Sequence, residues 1–478
     1  MSRKRFTIHL VHIARVVAAS LAFDCAAQPE NNWWYFNNVA VDFNGVAPVV
    51  HTNSAMNQGE GSSSISNADG DLLFYTDGVS VWNRTNSQMS NGYGLLGQSS
   101  ATQSALIVPK PSNCQFYYIF TVPSQNDVTP LSYSVVDMTL DGGLGDITLK
   151  NVPLIAGVTE RLSATLHANG VDRWVVGQRC SDLAIVSFRL TASGVDPTPV
   201  ISPPPPPITS SNCYLSSYIG SLKIAPDGSR LCTTFGYGVN AYLMDYDPLT
   251  GLASATLRWS PFLTSGGYGV EFSPNSSRLY LQTANVPRMT VQYDLLAGDT
   301  TAIMASRYVV DSAGLDPDNP INYLHGGALQ LGPNGQLYIN RLNKSHLSVI
   351  PYPDAVGAAC GYVEHAIDLS PLECELGLPN HLPSYPLCNA LVGIPEAGYA
   401  SVLIATDPSG GHLIVSFHDD SWLGMHFALL DMSGRIVIDE PITSPTESIS
   451  LHRIALGNYL VRLINGDKSL AQRIVVNY

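Results

Sequence analysis

The sequence predicts an all-β protein, and three observations lead to that prediction. Short apolar stretches alternate with Asp-Gly and Asn-Gly turns through most of the chain. Charged residues make up only 13% of the 478 positions, about half of the roughly 25% found in an average soluble protein. Neutral polar side chains and 40 glycines take their place, which is typical of chains in which many turns join short strands.

A recurring unit occupies residues 60–340. Each copy has an apolar strand, a turn, and a second strand in which aliphatic and aromatic residues alternate with others. Asp-Gly and Asn-Gly supply the positive φ that a tight β-turn needs, and the alternation gives each strand one apolar face, so each copy is predicted to be a β-hairpin. The six copies are residues 64–75, 104–122, 162–178, 221–235, 269–283 and 328–340.

The spacing of these hairpins predicts the architecture. Successive turns lie roughly 45–60 residues apart, which is long enough for a four-stranded sheet. One such sheet cannot bury both of its faces, so neighbouring sheets must stack, and closing the stack into a ring protects the edges. Six copies plus a closing sheet built from both ends predict a WD-repeat-like β-propeller over residues 28–395. It has about seven blades, with six or eight left open.

One segment interrupts this pattern. Pro203–Pro207 is a run of five prolines, which favours polyproline II and forbids a central strand. Hairpin copies continue on both sides of it, so we expect an exposed loop between blades, with an interdomain linker as the alternative.

The chain changes character after about residue 400. A strand at His412–Phe417 is followed by two hairpins, the first pairing Phe427–Leu430 with Arg435–Ile438 and the second pairing Leu456–Leu463 with Ser469–Val476. Short alternating strands joined by Gly-containing turns predict a separate, small antiparallel β-sandwich over residues 400–478.

The N-terminus has the pattern of a secretory signal peptide. Arg3, Lys4 and Arg5 precede an apolar stretch, and small residues stand before a predicted cut between Ala27 and Gln28. Residues 1–27 are therefore predicted to be removed on export. An anchored N-terminal helix and lipoprotein processing at Cys25 are the alternatives.

Export implies an oxidising compartment, in which disulfides plus one spare thiol are expected. The single pair favoured by spacing is Cys374 with Cys388, which would close a short loop and contribute roughly 3 kcal/mol in the chain-entropy model. Seven cysteines follow the predicted cut: 114, 180, 213, 232, 360, 374 and 388.

Charge argues against two classes of partner. The net charge is −14, and the lysines and arginines are scattered rather than clustered. Nucleic acid needs clustered cations, and an anionic membrane surface would repel this chain. No segment after the signal peptide is long and apolar enough for a transmembrane helix.

No catalytic residue is assigned from the sequence. It contains neither H-E-x-x-H nor G-x-S-x-G, and the G-x-G-x-x-G letters at Gly92–Gly97 lead into a strand instead of a helix. Glycoside hydrolysis needs two carboxyl groups at a set distance from each other, and the sequence does not give that distance. The acidic candidates near predicted loops are Glu60, Asp77, Glu160 and Glu271.

Metal and cofactor sites are not predicted either. A scattered Cys/His set lacks the paired C-x₂₋₄-C ligands of structural zinc, so disulfides and ordinary loop histidines explain it better. Asn67–Asp71 and Asp316–Asn319 offer oxygen ligands and leave calcium open, although turn formation explains the first fully. The scattered set is Cys360, His365, Cys374, His381 and Cys388.

Aromatic residues beside glycines and asparagines are the surface candidates of most interest. Such side chains stack on carbohydrates in many binding proteins, but in propellers they more often pack between blades, and packing is the interpretation favoured here. The set is Trp33, Trp34, Tyr35, Trp82, Tyr237 and Tyr268.

Residues 31–390 resemble the propeller of large surface proteins of the Bacteroidota, of the gliding-motility-associated type. The matching text includes NNWWYFNN, GEGSSSISNADGDLLFYTDGVSVWNR, NGYGLLGQSSATQSALIVPKP, ALQLGPNGQLYIN and GLPNHLPSY. The resemblance implies the propeller fold and carries no assigned activity.

The last 75 or so residues resemble the type A sorting domain of type IX secretion substrates. FALLDMSGRIVIDEPI, SISLHRIALGNYLVRLING and a final strand carry the resemblance, while Thr406-Asp407-Pro408 replaces the usual Pro-Asn-Pro opening. The resemblance implies recognition by the type IX secretion machinery. It also implies release outside the cell or attachment to the outer cell surface, with or without cleavage of this domain.

These observations favour a non-enzymatic binding or adhesion propeller with a surface glycan or protein as its partner. The alternatives are a propeller hydrolase or lyase acting on extracellular polysaccharide, and a structural component of a surface or gliding assembly. Convergent carboxylates or histidines with shifted pKa values at the ring axis would favour an enzyme, whereas an apolar plug would favour binding.

Overall fold

The computed structural model describes most of the chain as strands. Described are residues 28–125, 127–204, 218–236, 241–259, 266–284, 288–313, 326–382, 402–407, 412–417, 426–431, 435–444, 446–451, 454, 457–465 and 468–476. The chain divides into two compact units, Met1–Asn389 and Ala390–Tyr478. The predicted signal peptide, Tyr237, Cys388, Asp316–Asn319 and most of the proline run lie outside the described residues.

The described strands of the first unit form seven antiparallel sheets in chain order. Sheet 1 contains β1 (Trp33–Phe36), β2 (Val39–Asp42) and β3 (Val49–His51), and sheet 2 contains β4 (Ser63–Ser66), β5 (Leu72–Thr76) and β6 (Val81–Asn83). Sheet 3 contains β7 (Ala105–Pro109), β8 (Phe116–Thr121), β9 (Leu131–Asp137) and β10 (Asp146–Ile155). Sheet 4 contains β11 (Val158–Leu166), β12 (Arg173–Arg179), β13 (Ile185–Thr191), β14 (Gly194–Val195) and β15 (Val200–Ile201).

The last three sheets of this unit have four strands each. Sheet 5 contains β16 (Leu222–Ile224), β17 (Arg230–Thr233), β18 (Ala241–Asp247) and β19 (Leu252–Trp259). Sheet 6 contains β20 (Gly267–Phe272), β21 (Arg278–Thr283), β22 (Arg288–Asp294) and β23 (Tyr308–Ala313), with helix α1 (Thr300–Ala305) before its last strand. Sheet 7 contains β24 (Gly326–Leu331), β25 (Leu337–Arg341), β26 (His346–Ile350) and β27 (Val363–Asp368). Short 3₁₀ turns occur at Pro29–Asn31, Asp141–Gly143 and Gly357–Cys360.

The six predicted hairpins are the first two strands of sheets 2 to 7. Their turns contain the residues with positive φ that the sequence places there, such as Gly70, Gly228 and Gly335. In sheet 5, for example, Leu222 pairs with Thr233 and Ile224 pairs with Leu231 across the Pro-Asp-Gly turn.

Packing between successive sheets closes the ring. Each sheet shares one buried apolar cluster with the sheet before it and another with the sheet after it, and the cluster containing Trp34, Phe36, Tyr338 and Leu347 joins sheet 7 to sheet 1. Successive residues of a strand point to opposite faces of the sheet, so one strand can pack against both neighbouring sheets. In β1, Trp34 and Phe36 face sheet 7 while Tyr35 faces sheet 2. The first unit is therefore a seven-bladed β-propeller, as predicted. From sheet 1 through sheet 7, the first strands of successive sheets contact one another around the axis.

The closure differs in detail from the prediction of a blade built from both chain ends. Residues 33–51 alone form sheet 1, and the segment after β27 lies against the first strands of other sheets instead. Leu376 accepts a hydrogen bond from the backbone N–H of Ala328, and Asn380 donates one to Ser62. These hydrogen bonds satisfy one backbone N–H in β24 and one backbone carbonyl just before β4. They hold the C-terminal segment of the propeller in place without adding a fourth strand to sheet 1.

The second unit contains two antiparallel sheets. One is β28 (Val402–Asp407), β29 (His412–Phe417) and β32 (Thr446–Ser450), and the other is β30 (His426–Asp431), β31 (Ile436–Pro441), β33 (Gly457–Asn465) and β34 (Lys468–Val476). Buried residues of both sheets, including Leu413, Phe427 and Val461, form one core. The predicted hairpins β30–β31 and β33–β34 are both present in the second sheet. The two sheets pack on each other as a small sandwich, as predicted.

The cysteines depart from the prediction. Cys232, Cys360 and Cys374 are buried free thiols, so at most two disulfides can form among the seven cysteines instead of three. Cys374 lies in the core between sheets 7 and 1, with its sulfur 3.6 Å from the carbonyl oxygen of His346. Its side chain therefore takes part in packing as a free thiol. The predicted disulfide between Cys374 and Cys388 is wrong.

Candidate functional site

Polar side chains, not apolar ones, fill the axis of the propeller. The amide oxygen of Gln103 accepts hydrogen bonds from the backbone N–H groups of Leu162 (3.2 Å) and Leu222 (2.8 Å), in the first strands of sheets 4 and 5. Asn380 donates from its side chain to the carbonyl oxygen of Leu162 at 2.8 Å. These amides link three distant parts of the chain, so the axis is a hydrogen-bonded plug.

Two glutamates meet at the end of the ring where the first strands begin. Glu60 precedes β4, and Glu160 is the third residue of β11. Tyr268 donates to Glu60 with an O–O distance of 2.8 Å, and Thr102 donates its hydroxyl to Glu160 at 2.7 Å. We call these four residues the carboxylate mouth.

The two carboxyl groups differ in access. Glu60 is half-buried, and its other oxygen accepts from Ser100 at 3.3 Å. Glu160 is fully buried, and its two oxygens accept the backbone N–H groups of Thr102 (2.9 Å) and Gln125 (2.8 Å). Glu60 is therefore the member of the pair that solvent and a ligand can reach.

The environment favours a proton at the mouth. Burial, and then the nearby Glu160, raise the pKa of Glu60 to about 7, against the hydrogen bonds from Tyr268, Ser100 and Thr102. Burial also raises the pKa of Glu160, against its hydrogen bonds from Thr102 and Gln125. Two adjacent carboxylates in a partly dry site cannot both ionise at low cost, so the site favours the protonated form of Glu60.

Arg161 follows Glu160 in β11 and is completely buried. Its guanidinium donates to the carbonyl oxygens of Thr234 and Ile219 and lies 4.3 Å from the ring centre of Phe235. Burial lowers the pKa of Arg161 to about 9, while Glu160 opposes that shift. Arg161 thus fixes sheet 4 to sheet 5, and its positive charge opposes the rise in the pKa of Glu160.

The sequence candidates separate into two groups. Glu60, Glu160 and Tyr268 come together, while Asp77 caps a turn by accepting from the backbone N–H groups of Val79 (2.8 Å) and Ser80 (2.7 Å). Glu271 accepts from backbone groups and forms a buried ion pair with Lys223 at 3.4 Å. Asp77 and Glu271 are therefore structural.

A small cavity lies at the opposite end of the axis. Its volume is about 20 Å³, which holds roughly one water molecule, and Lys223, Asn31 and His381 line it. His381 Nδ1 donates to the Asn31 side-chain oxygen at 2.6 Å. Burial, and then Lys223, lower the pKa of His381 to about 3, so the ring is neutral. This cavity is therefore too small for an organic ligand.

The scattered cysteines and histidines considered for zinc do not come together where the structure describes them. Cys360 packs between sheets 6 and 7, Cys374 between sheets 7 and 1, and His381 lies at the axis. His346, Glu364 and His365 do form a group, with one ligand atom from each within 4.8 Å of the others. However, Arg341 pairs with Glu364 and lies at the same place, which opposes a divalent cation.

The calcium-like loop at Asn67–Asp71 is a turn. The side-chain oxygen of Asn67 accepts from the backbone N–H groups of Asp69 at 3.0 Å and Asp71 at 2.8 Å. The Asn67 oxygen is thereby used within the hairpin, as expected for a turn-forming asparagine.

The candidate aromatics pack for the most part. Trp34 is fully buried between blades, Tyr35 and Tyr268 are 2% and 3% exposed, and Trp33 and Trp82 are half-buried. Sequence reasoning missed Thr102, Gln103, Arg161 and Asn380. For Arg161 a signal existed, because an adjacent Glu-Arg pair inside an apolar strand needs buried partners.

Comparison with known proteins concerns mainly the second unit. Residues 407–477 match the family described as the secretion system C-terminal sorting domain. This match supports sorting through type IX secretion and makes the chain a secreted protein that is delivered to the cell surface. Among the described residues, none of the helices has the length and hydropathy of a membrane span. No curated protein matched the sequence.

Solved structures with similar backbones cover most of the chain at low identity. A protein from Lactobacillus plantarum is 12% identical with a TM-score of 0.39, and the alignment covers 83% of this chain and 96% of that one. The β-propeller domain of Cps50 (Swd1) from Myceliophteria thermophila is 11% identical, with a TM-score of 0.39 and coverage of 76% and 95%. The periplasmic gluconolactonase PpgL of Pseudomonas aeruginosa is 14% identical, with a TM-score of 0.36 and coverage of 79% and 98%. The propeller assignment rests on the seven sheets and their interfaces, and these likenesses carry no argument about activity.

Proposed function

We propose that this protein is a surface-displayed binding propeller, with residues 28–395 as the binding domain and 400–478 as the sorting domain. The carboxylate mouth is its ligand contact, and Glu60 is the group that meets the ligand. A glycan or a protein of the cell surface or its surroundings is the partner. A gliding-motility assembly of the Bacteroidota is one setting in which such a propeller would work.

The observation that carries this proposal is the unequal access of the two glutamates. Glycoside hydrolysis in its usual form needs two accessible carboxyl groups on opposite sides of the scissile bond, about 5–10 Å apart. Here the oxygens of Glu160 are occupied by Thr102 and Gln125, so Glu60 stands alone as a reachable carboxyl. One reachable acid, held by Tyr268 and Ser100, is better suited to hydrogen bonding than to two-carboxylate catalysis.

A second function is favoured by a different observation. A pKa of about 7 is where a general acid or base works best at neutral pH, and Glu60 has that value. A propeller hydrolase or lyase that uses Glu60 as its proton-transfer group is therefore the competing proposal.

The two proposals differ in what Glu60→Gln does. The full secreted chain and this variant are tested for binding on glycan and peptide arrays and for turnover of the same polymers, between pH 5 and 9. If protonated Glu60 only donates a hydrogen bond, binding by the native chain weakens as the pH rises through about 7, whereas the glutamine amide still donates and its binding persists.

Loss of turnover in Glu60→Gln would instead establish the enzyme. The matched control is Glu373→Gln, which changes an exposed glutamate elsewhere and should alter neither readout. Binding by the native chain that Glu60→Ala leaves unchanged would contradict both proposals for this mouth.

A further inference from the structure

A cleft outside the carboxylate mouth lies between sheets 1 and 2. Its volume is about 520 Å³, within the range of roughly 300–1,000 Å³ typical of small-molecule sites. Trp33 and Tyr35 of β1 line one side, and Asp71, Arg84 and Asn86 of the β4–β6 region line the other. We call it the aromatic cleft.

Stacked rings form the wall of this cleft. The ring centres of Tyr35 and Tyr75 are 3.9 Å apart at an interplanar angle of 14°, and Tyr75 continues to Trp82 at 5.4 Å. Trp33 lies 6.1 Å from Tyr35 and is half-buried. The inner tyrosines are buried and hold the wall rigid, while the half-buried Trp33 offers an apolar surface to the cleft.

The polar groups around this wall are only partly used within the protein. In the part of the chain that the structure describes, the Asn53 side chain makes no hydrogen bond, and Asn86 uses only its oxygen, which accepts from Tyr75 at 2.9 Å. Arg84 donates from one nitrogen to the carbonyl oxygen of Gly143. The Asp71 carboxylate accepts one long hydrogen bond, 3.4 Å, from the Asn67 side chain. Donors and acceptors for a ligand therefore surround the aromatic wall.

The charges of the lining select against ionic ligands. Asp71 and Arg84 carry opposite charges, and the other polar groups of the cleft are amides. A ligand that fits has one apolar face for Trp33 and hydroxyl groups that both donate and accept around its edge. A sugar ring has both features, since its C–H groups lie on one face and its hydroxyls project sideways.

We propose that the aromatic cleft between sheets 1 and 2 binds a neutral oligosaccharide, with a sugar ring on Trp33 and its hydroxyls bonded to Asn53, Asn86 and Arg84. This site is separate from the carboxylate mouth and does not depend on it. The proposal gives this surface-delivered propeller a second binding site, with neutral oligosaccharides as its class of ligand.

The test is calorimetric titration of the full secreted chain with cellohexaose, maltohexaose and mannohexaose, with hexagalacturonate as the charged comparison. We expect at least one neutral hexasaccharide to bind with a Kd below about 1 mM and more tightly than hexagalacturonate. Trp33→Ala should weaken binding by about tenfold and Asn53→Ala by roughly threefold. Tyr352→Ala removes an exposed aromatic from a distant loop and should change nothing.

Circular dichroism and thermal unfolding of each variant show whether it is folded. If Trp33→Ala fails to fold, Asn53→Ala decides the question, because the Asn53 side chain is exposed, and Asn86→Ala, at a half-buried position, supports it. The proposal is overturned if none of the neutral hexasaccharides binds, if the charged one binds more tightly, or if the folded cleft variants bind like the native chain. Asn53 and Asn86 line the cleft and lie outside the carboxylate mouth, so weaker binding in their variants assigns the sugar to the cleft, whereas binding that Glu60→Ala alone weakens assigns it to the mouth.

Discussion

Replacing Glu60 with glutamine should make the propeller more stable at alkaline pH. The folded chain holds the Glu60 proton up to about pH 7, because burial and then Glu160 raise its pKa, whereas the unfolded chain releases it near the ordinary value of 4.5. The free energy of unfolding contributed by this group is therefore fully present below pH 4.5 and falls as the pH rises to about 7. Each pKa unit corresponds to about 1.4 kcal/mol, so the loss is at most about 3 kcal/mol, since Glu60 remains partly in water.

The assay is urea unfolding followed by tryptophan fluorescence at several pH values between 4.5 and 8.5. Five of the six tryptophans precede residue 390, so the signal follows the propeller. The variant should match the native chain at pH 4.5 and exceed it above pH 7. His381 acts in the opposite direction, because its lowered pKa removes stability as the pH falls below 6.5, but it is common to both proteins and cancels.

The matched control, Glu373→Gln, changes an exposed glutamate and should alter the free energy of unfolding by less than about 0.5 kcal/mol. A Glu60→Gln variant that is less stable than the native chain at pH 8 would refute the reasoning. So would a difference between the two proteins that stays constant from pH 4.5 to 8.5.

Three further predictions concern the packing of the propeller. Trp34→Ala should lower the free energy of unfolding by about 3–5 kcal/mol in the same urea assay, because the indole is fully buried where sheet 7 closes on sheet 1; a loss below about 1 kcal/mol would contradict that closure. Arg161→Met should lower the free energy of unfolding by about 1–3 kcal/mol at pH 7, since it leaves the buried carbonyl oxygens of Thr234 and Ile219 without their donor, and an unchanged midpoint would contradict the contacts described. The thiols of Cys232, Cys360 and Cys374 should resist iodoacetamide in the native chain and react after unfolding, because burial raises the pKa of each. Mass spectrometry of the peptides measures the extent of alkylation at each cysteine.

Hairpin positions could be predicted from the sequence because they depend on neighbouring residues. The turn at Asp227-Gly228 needs a positive φ, and the strands on each side alternate apolar and polar residues, so both features are visible within 15 residues. The same reasoning located the β30–β31 and β33–β34 hairpins of the sorting domain.

The carboxylate mouth could be predicted only in part. Glu60 and Glu160 were candidates because they are acidic and lie near predicted loops, but so were Asp77 and Glu271, and nothing local distinguishes the two pairs. Glu60 and Tyr268 are separated by 208 positions and still share a hydrogen bond. Such a contact depends on where each first strand begins around the axis.

Local sequence therefore determined the strands, the turns, the apolar faces and the sorting domain of this protein. Tertiary structure alone decided which glutamates meet, which thiols stay free and what fills the axis. The physical reason is that hairpins form from adjacent residues, whereas the distances across the ring depend on all seven sheets packing together and closing.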